Sequence, residues 1–75
     1  MQTLNVIAHW DAKARVWWAE SNEIAGLTAE TTTHEGLVAE LRSLVPALVA
    51  MNMPEVRGGV TLRIVSDQVE EVYFS

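Results

Sequence analysis

Few residues in this chain are of the types that perform chemistry, and their spacing does not gather them. Histidine occurs twice, as His9 and His34. A metal site built on them needs both rings to converge with a carboxylate such as Glu35, and no spacing in the sequence enforces that. Ser21, Ser43 and Ser66 stand in no nucleophile motif. Cysteine is absent, which removes thiol catalysis, disulfides and thiolate metal ligands. No enzymatic activity, metal or cofactor is therefore expected. Recognition chemistry is better represented. Trp10, Trp17 and Trp18 are followed closely by Glu20, Glu23 and Glu30. Tryptophan is enriched among the side chains that dominate binding energy, and acids steer cationic partners. These six are the candidate protein-interaction residues. Trp17 and Trp18 are adjacent, so in a strand they face opposite ways, and at least one lies away from whatever covers the other. The competing reading is that one or two of the tryptophans are ordinary core.

The elements that position these residues follow from hydrophobic periodicity. Gln2 to Trp10 alternates, with Leu4, Val6, Ala8 and Trp10 on one face and Thr3, Asn5, Ile7 and His9 on the other. Asp11 to Ala14 is short and polar enough for a hairpin turn, and Arg15 to Glu20 is the return strand. A loop from Ser21 to Glu23 and a turn at Gly26 lead into a short strand from Leu27 to Thr31. Thr32 and Glu35 fit a capping box at the start of a helix.

Leu37, Leu41, Leu44, Val45 and Leu48 then recur at three- and four-residue steps, widened by Val38, Val49 and Met51. Burying such a stripe contributes roughly 1.5–3 kcal/mol per large side chain. Pro46 interrupts the pattern; because the stripe stays in phase on both sides, it predicts a local kink rather than two helices. Asn52 and Pro54 end the helix. Val60 to Val65 alternates as a strand, Ser66 to Gln68 reads as a turn, and Val69 to Phe74 as a possible fifth strand. It either hairpins onto the strand before it or pairs elsewhere.

The expected architecture is α+β, in the order β-β-β-α-β: one sheet with an amphipathic helix on one face, forming a single domain over residues 1–75. The strand after the helix is expected at the sheet edge beside the first strand and parallel to it, through a right-handed crossover.

Ten acids against five dispersed bases give a net charge of −5, which disfavours direct nucleic-acid binding. Forty-nine per cent of the residues are hydrophobic, a high share for a chain of 75 residues with no disulfide or metal staple. Burial of part of that surface in a homodimer is the simplest resolution. The start lacks the basic and apolar regions of a signal peptide, and no apolar run approaches the ~20 residues that span a bilayer. A cytoplasmic protein without membrane contact is expected.

The strand Val16-Trp17-Trp18-Ala19-Glu20, the turn Ile24-Ala25-Gly26-Leu27 and the helix opening Thr32-x-x-Glu35-Gly36-Leu37 together resemble the HicB-like antitoxin family. The Trp10-Asp11 pair with Val-Trp-Trp-Ala is similar to a short stand-alone branch of it. The resemblance covers roughly residues 4 to 65. It implies a partial RNase H fold and a toxin–antitoxin role: binding a small basic ribonuclease toxin and blocking it without catalysis. Many members add a DNA-binding segment, whereas Val60 to Phe74 here is strand-like, so direct operator binding is not expected. An RNase H-type active site would need converging carboxylates, and Thr3 to Trp10 carries none; Glu40 and Asp67 alone do not make one. A stand-alone structural or regulatory homodimer is the alternative function.

Overall fold

The computed structural model describes residues 1–75. Four strands and one helix follow in the order β1 (Thr3–Asp11), β2 (Val16–Glu20), β3 (Ala29–Thr31), α1 (His34–Asn52) and β4 (Thr61–Asp67). The spatial order is β3-β2-β1-β4, with β1 antiparallel to β2, β2 antiparallel to β3, and β4 parallel to β1. The expected β-β-β-α-β sheet, with the post-helix strand parallel to the first at the edge, is the one observed.

Alternation along β1 decides which face is covered. Leu4, Val6 and Ala8 are buried while Thr3, Asn5 and Ile7 are exposed. From the helix, Leu37, Leu41, Val45 and Val49 close over that face, at the three- and four-residue steps of one stripe. Ala19 and Ala29 are small where β2 and β3 pass under the helix, and Ile24 from the intervening loop completes the buried core. Every buried side chain is apolar.

The local devices are specific. In the β1–β2 hairpin the Asp11 carboxylate accepts the backbone N–H groups of Lys13 and Ala14, both at 3.0 Å, and the Arg15 N–H closes onto the Asp11 carbonyl at 2.7 Å. This Asx turn holds Arg15 in the left-handed region at φ 60°. The helix is capped by Thr33, not Thr32: its hydroxyl accepts the Gly36 N–H at 2.9 Å. Gly36 thus occupies the third helical position that a capping box gives to Glu or Gln. A Cβ there would lie 2.9 Å from the Thr33 hydroxyl oxygen, so glycine is what leaves the cap its room. The helix runs unbroken through Pro46 to Asn52, whose amide donates to the Ala25 and Leu48 carbonyls.

Two strand boundaries differ from the sequence reading by two residues, and the others by at most one. The third strand begins at Ala29, because Leu27 instead closes the preceding turn through its N–H to the Ile24 carbonyl. The segment expected to turn at Ser66 and return as a fifth strand does neither. Strand β4 continues through Ser66 and Asp67, which pair with Ala8 and His9, and residues 68–75 form no regular element. No helix is long and apolar enough to cross a membrane.

Candidate interaction face

The helix covers one side of the sheet and leaves the other bare. Strand pairing sets Ile7 beside Val65 and Glu20, and His9 beside Trp18 and Asp67. Trp18 in turn pairs with Glu30 on β3. The result is a belt across four strands: Glu30, Trp18, His9 and Asp67, with Ile7, Glu20 and Val65 alongside. The apolar members stay open to solvent at 36% for Ile7, 37% for Trp18 and 43% for Val65.

The belt is internally organised. The imidazole of His9 stacks on the Trp18 indole at 4.4 Å between centroids. Its Nδ1 is 3.3 Å from an Asp67 carboxylate oxygen, and its Nε2 is 3.2 Å from one of Glu20. The Nε2 atom is enclosed, yet the Glu20 approach is not directed well enough for a hydrogen bond. We therefore read the Glu20 contact as proximity rather than as a formed bond. The imidazole thus lies stacked on the Trp18 ring with the Glu20 and Asp67 carboxylates close by.

Of the six residues singled out from the sequence, the fold brings three together on this face: Trp18, Glu20 and Glu30. Trp10 and Trp17 lie on the helix side. Their rings meet at 5.5 Å, and Trp17 and His34 pack edge to face at 4.9 Å. Both are half-buried, and they extend the core beyond the helix start. Glu23 also has a structural task. Beyond Glu20 strand β2 no longer accompanies β1, and the Glu23 carboxylate replaces the missing ladder by accepting the Asn5 backbone N–H at 2.8 Å and its side-chain amide at 2.9 Å. Ser21 donates to the Asn5 carbonyl at 2.7 Å. Those hydrogen bonds to Asn5, the backbone one foremost, lower the Glu23 pKa from its ordinary 4.5 against the opposing effect of desolvation.

Sequence reasoning missed Ile7, His9, Val65 and Asp67 as members of the face. Alternation already placed Ile7 and His9 together, but their neighbours depend on inter-strand register. The two histidines do not converge. His34 lies on the helix side, its Nε2 2.9 Å from the Ser66 hydroxyl, and His9 lies on the bare side. Glu40 and Asp67 are likewise on opposite sides of the sheet, and no three His, Asp or Glu side chains gather in a metal-binding group.

The fold and this face define a class: a small two-layer α+β domain with one sheet face packed under a helix and the other bare and rimmed with acids. The chain belongs to the family described as a domain of unknown function, DUF1902, whose match runs over residues 3–75. It is similar to a solved structure, a hypothetical protein from the extremely thermophilic bacterium Thermus thermophilus. The two share 38% identity over 97% of this chain and 100% of that one, with a TM-score of 0.77. No curated protein matches the chain.

Proposed function

We propose that this protein is a non-catalytic interaction module of the HicB antitoxin type, which binds a small basic ribonuclease and occludes its active site. The observation that carries the reading is the bare sheet face: Trp18, Ile7 and Val65 half-exposed at its centre, with Glu20, Glu30 and Asp67 around them. A large aromatic anchor with three acids around it, and Arg63 as the base beside Val65 on the same face, carries a net negative charge that suits a basic partner. The strand, turn and helix-opening motifs that resemble the HicB-like family lend the partner's identity. Co-expression with the product of an adjacent small basic reading frame, followed by calorimetry, tests it. Trp18→Ala and Glu20→Lys/Glu30→Lys should each weaken the complex at least tenfold and restore the partner's RNA cleavage. Equal binding by the charge-reversed face would end the proposal.

The second reading is a stand-alone structural or regulatory homodimer. What favours it is the segment 68–75, whose Val69, Val72, Tyr73 and Phe74 are all exposed in the single chain.

A further inference from the structure

The segment Gln68 to Ser75 is the least satisfied part of the molecule. Val69, Val72, Tyr73 and Phe74 are 75–92% exposed. They project rather than fold back: the chain measures 57 Å along its longest axis and 18 Å across the other two. Helix α1, at 19 residues, accounts for only about 28 Å of that length. Four large apolar side chains in one short segment want a surface to cover.

The surface that matches them is the free edge of β4. That strand is last in the sheet, so its outer backbone groups are unpaired, as in any edge strand. Above its first half lies an apolar groove lined by Val45, Pro46 and Val49 of the helix and by Val60 and Leu62, with Arg42 as the base among them.

An antiparallel strand laid on this edge with residue 71 opposite residue 63 satisfies both surfaces at once. Glu71 then faces Arg63, Val69 faces Val65, and Tyr73 faces Thr61 on the bare side of the sheet. Val72 and Phe74 fall beside Leu62 and Val60 at the groove, and Glu70 lies on the helix side with Arg42. This register puts opposite charges in direct cross-strand positions and β-branched residues together.

The same chain cannot supply that strand without losing structure. A hairpin in this register must turn through Ser66, Asp67 and Gln68. Ser66 and Asp67 are strand residues paired with Ala8 and His9, and they hold contacts to His34 at 2.9 Å and His9 at 3.3 Å. Pairing 65 with 69 leaves a three-residue loop, and none of Ser66, Asp67 and Gln68 is the Gly that such a loop favours at its left-handed position. A second copy has neither difficulty. With residue 71 opposite 63, residue 67 meets its own counterpart, so the contact is two-fold symmetric and self-complementary. Each copy keeps β4 straight and extends it through Phe74 along the partner's edge. The two Asp67 carboxylates meet at the axis as a like-charge pair, the unfavourable contact of this register, each with its own His9 beside it.

We propose that this protein forms a two-fold dimer in which residues 69–74 of each copy add a strand to the β4 edge of the other and seat Phe74 in the groove beneath Pro46. The inference rests on the homodimer reading and is independent of any basic partner. Aromatic rings bury about 150–250 Å² each. The two Phe74 rings seated in the grooves therefore contribute roughly 300–500 Å², and the groove walls and the paired strands add the rest of the contact.

The absence of cysteine allows a direct test. A chain with Arg63→Cys and a chain with Glu71→Cys, mixed in equal amounts and oxidised, should give a covalent dimer. Both cross-strand spacings of an antiparallel pair are within disulfide reach. Arg63→Cys mixed with Glu70→Cys should not, because residue 70 faces the other side. The doubly substituted Arg63→Cys/Glu71→Cys chain should also cross-link between copies. Closure within a single chain would show a hairpin and overturn the exchange. A native chain that scatters light as an 8.3 kDa monomer at tens of micromolar would overturn the dimer itself. A dimer that forms without the 63–71 cross-link would overturn the exchange and leave the homodimer standing. Phe74→Asp should raise the dissociation constant at least tenfold with an unchanged helical dichroism signal.

Discussion

The two faces of one sheet carry comparable bulk and opposite consequences. On the helix side Leu4, Val6 and Ala8 meet Leu37, Leu41 and Val45 and are sealed. On the bare side Ile7, Trp18 and Val65 are apolar too, yet each keeps more than a third of its surface in water. Composition does not separate them; a covering layer does. The sealed core holds no polar side chain at all, whereas the bare face places His9 between an indole and two carboxylates. The first face is organised to exclude water and the second to hold one fixed pattern of ring and charge toward it.

The contrast is easiest to break by truncation. Leu41→Ala opens a cavity in a fully enclosed site and should cost about 2–5 kcal/mol, whereas Ile7→Ala on the bare face should cost under about 1 kcal/mol. Denaturant titration of the two variants measures the difference, and equal losses would mean the bare face is covered in solution. A smaller effect sharpens the picture of how the covering helix is set. Thr33→Ala removes the cap and should cost about 1 kcal/mol, against roughly a few tenths for Thr32→Ala. Reversal of that order in thermal melts would return the cap to the earlier threonine.

The smallest effect lies at the far end of the bare face. Because the Glu23 pKa is lowered in the folded chain, its contribution is present above the unfolded value near 4.5 and lost as pH falls through the folded value. Glu23→Gln should therefore flatten the loss of stability between about pH 5 and pH 2. An unchanged acid profile would show that Asn5 does not hold the carboxylate in solution.

Much of the fold was legible because its signals are local. Strict alternation in β1, the helical steps from Leu37 to Val49, and the return to a parallel edge strand are properties of short windows or of how a strand–helix–strand unit closes. The capping residue lies one position later than the sequence suggests, since Thr31, Thr32 and Thr33 are alike in type and only the helix geometry selects among them. The end of β4 differs for a related reason. Ser66-Asp67-Gln68 has the polarity of a turn, but β1 extends far enough to keep the first two residues in the sheet.

The candidate face was legible in its parts and not in its membership. Adjacency alone requires Trp17 and Trp18 to point opposite ways, but it does not say which of them meets the helix. That choice came from the register of β2 on β1, which set Trp10 against Trp17 on the helix side and His9 against Trp18 on the bare side. The side chains of Glu20, Glu23 and Glu30 look equivalent along the chain, yet Asn5 claims one of them and leaves two.

The element order, the covered stripe and the acidic, cysteine-free character are written in the linear chain, because periodicity, backbone sterics and charge act over a few residues or over none. Which apolar residues remain exposed, which acids stay free and where β4 stops are settled by pairing between strands distant in sequence. Those outcomes depend on how far each strand finds a neighbour, and no window of the chain contains that length.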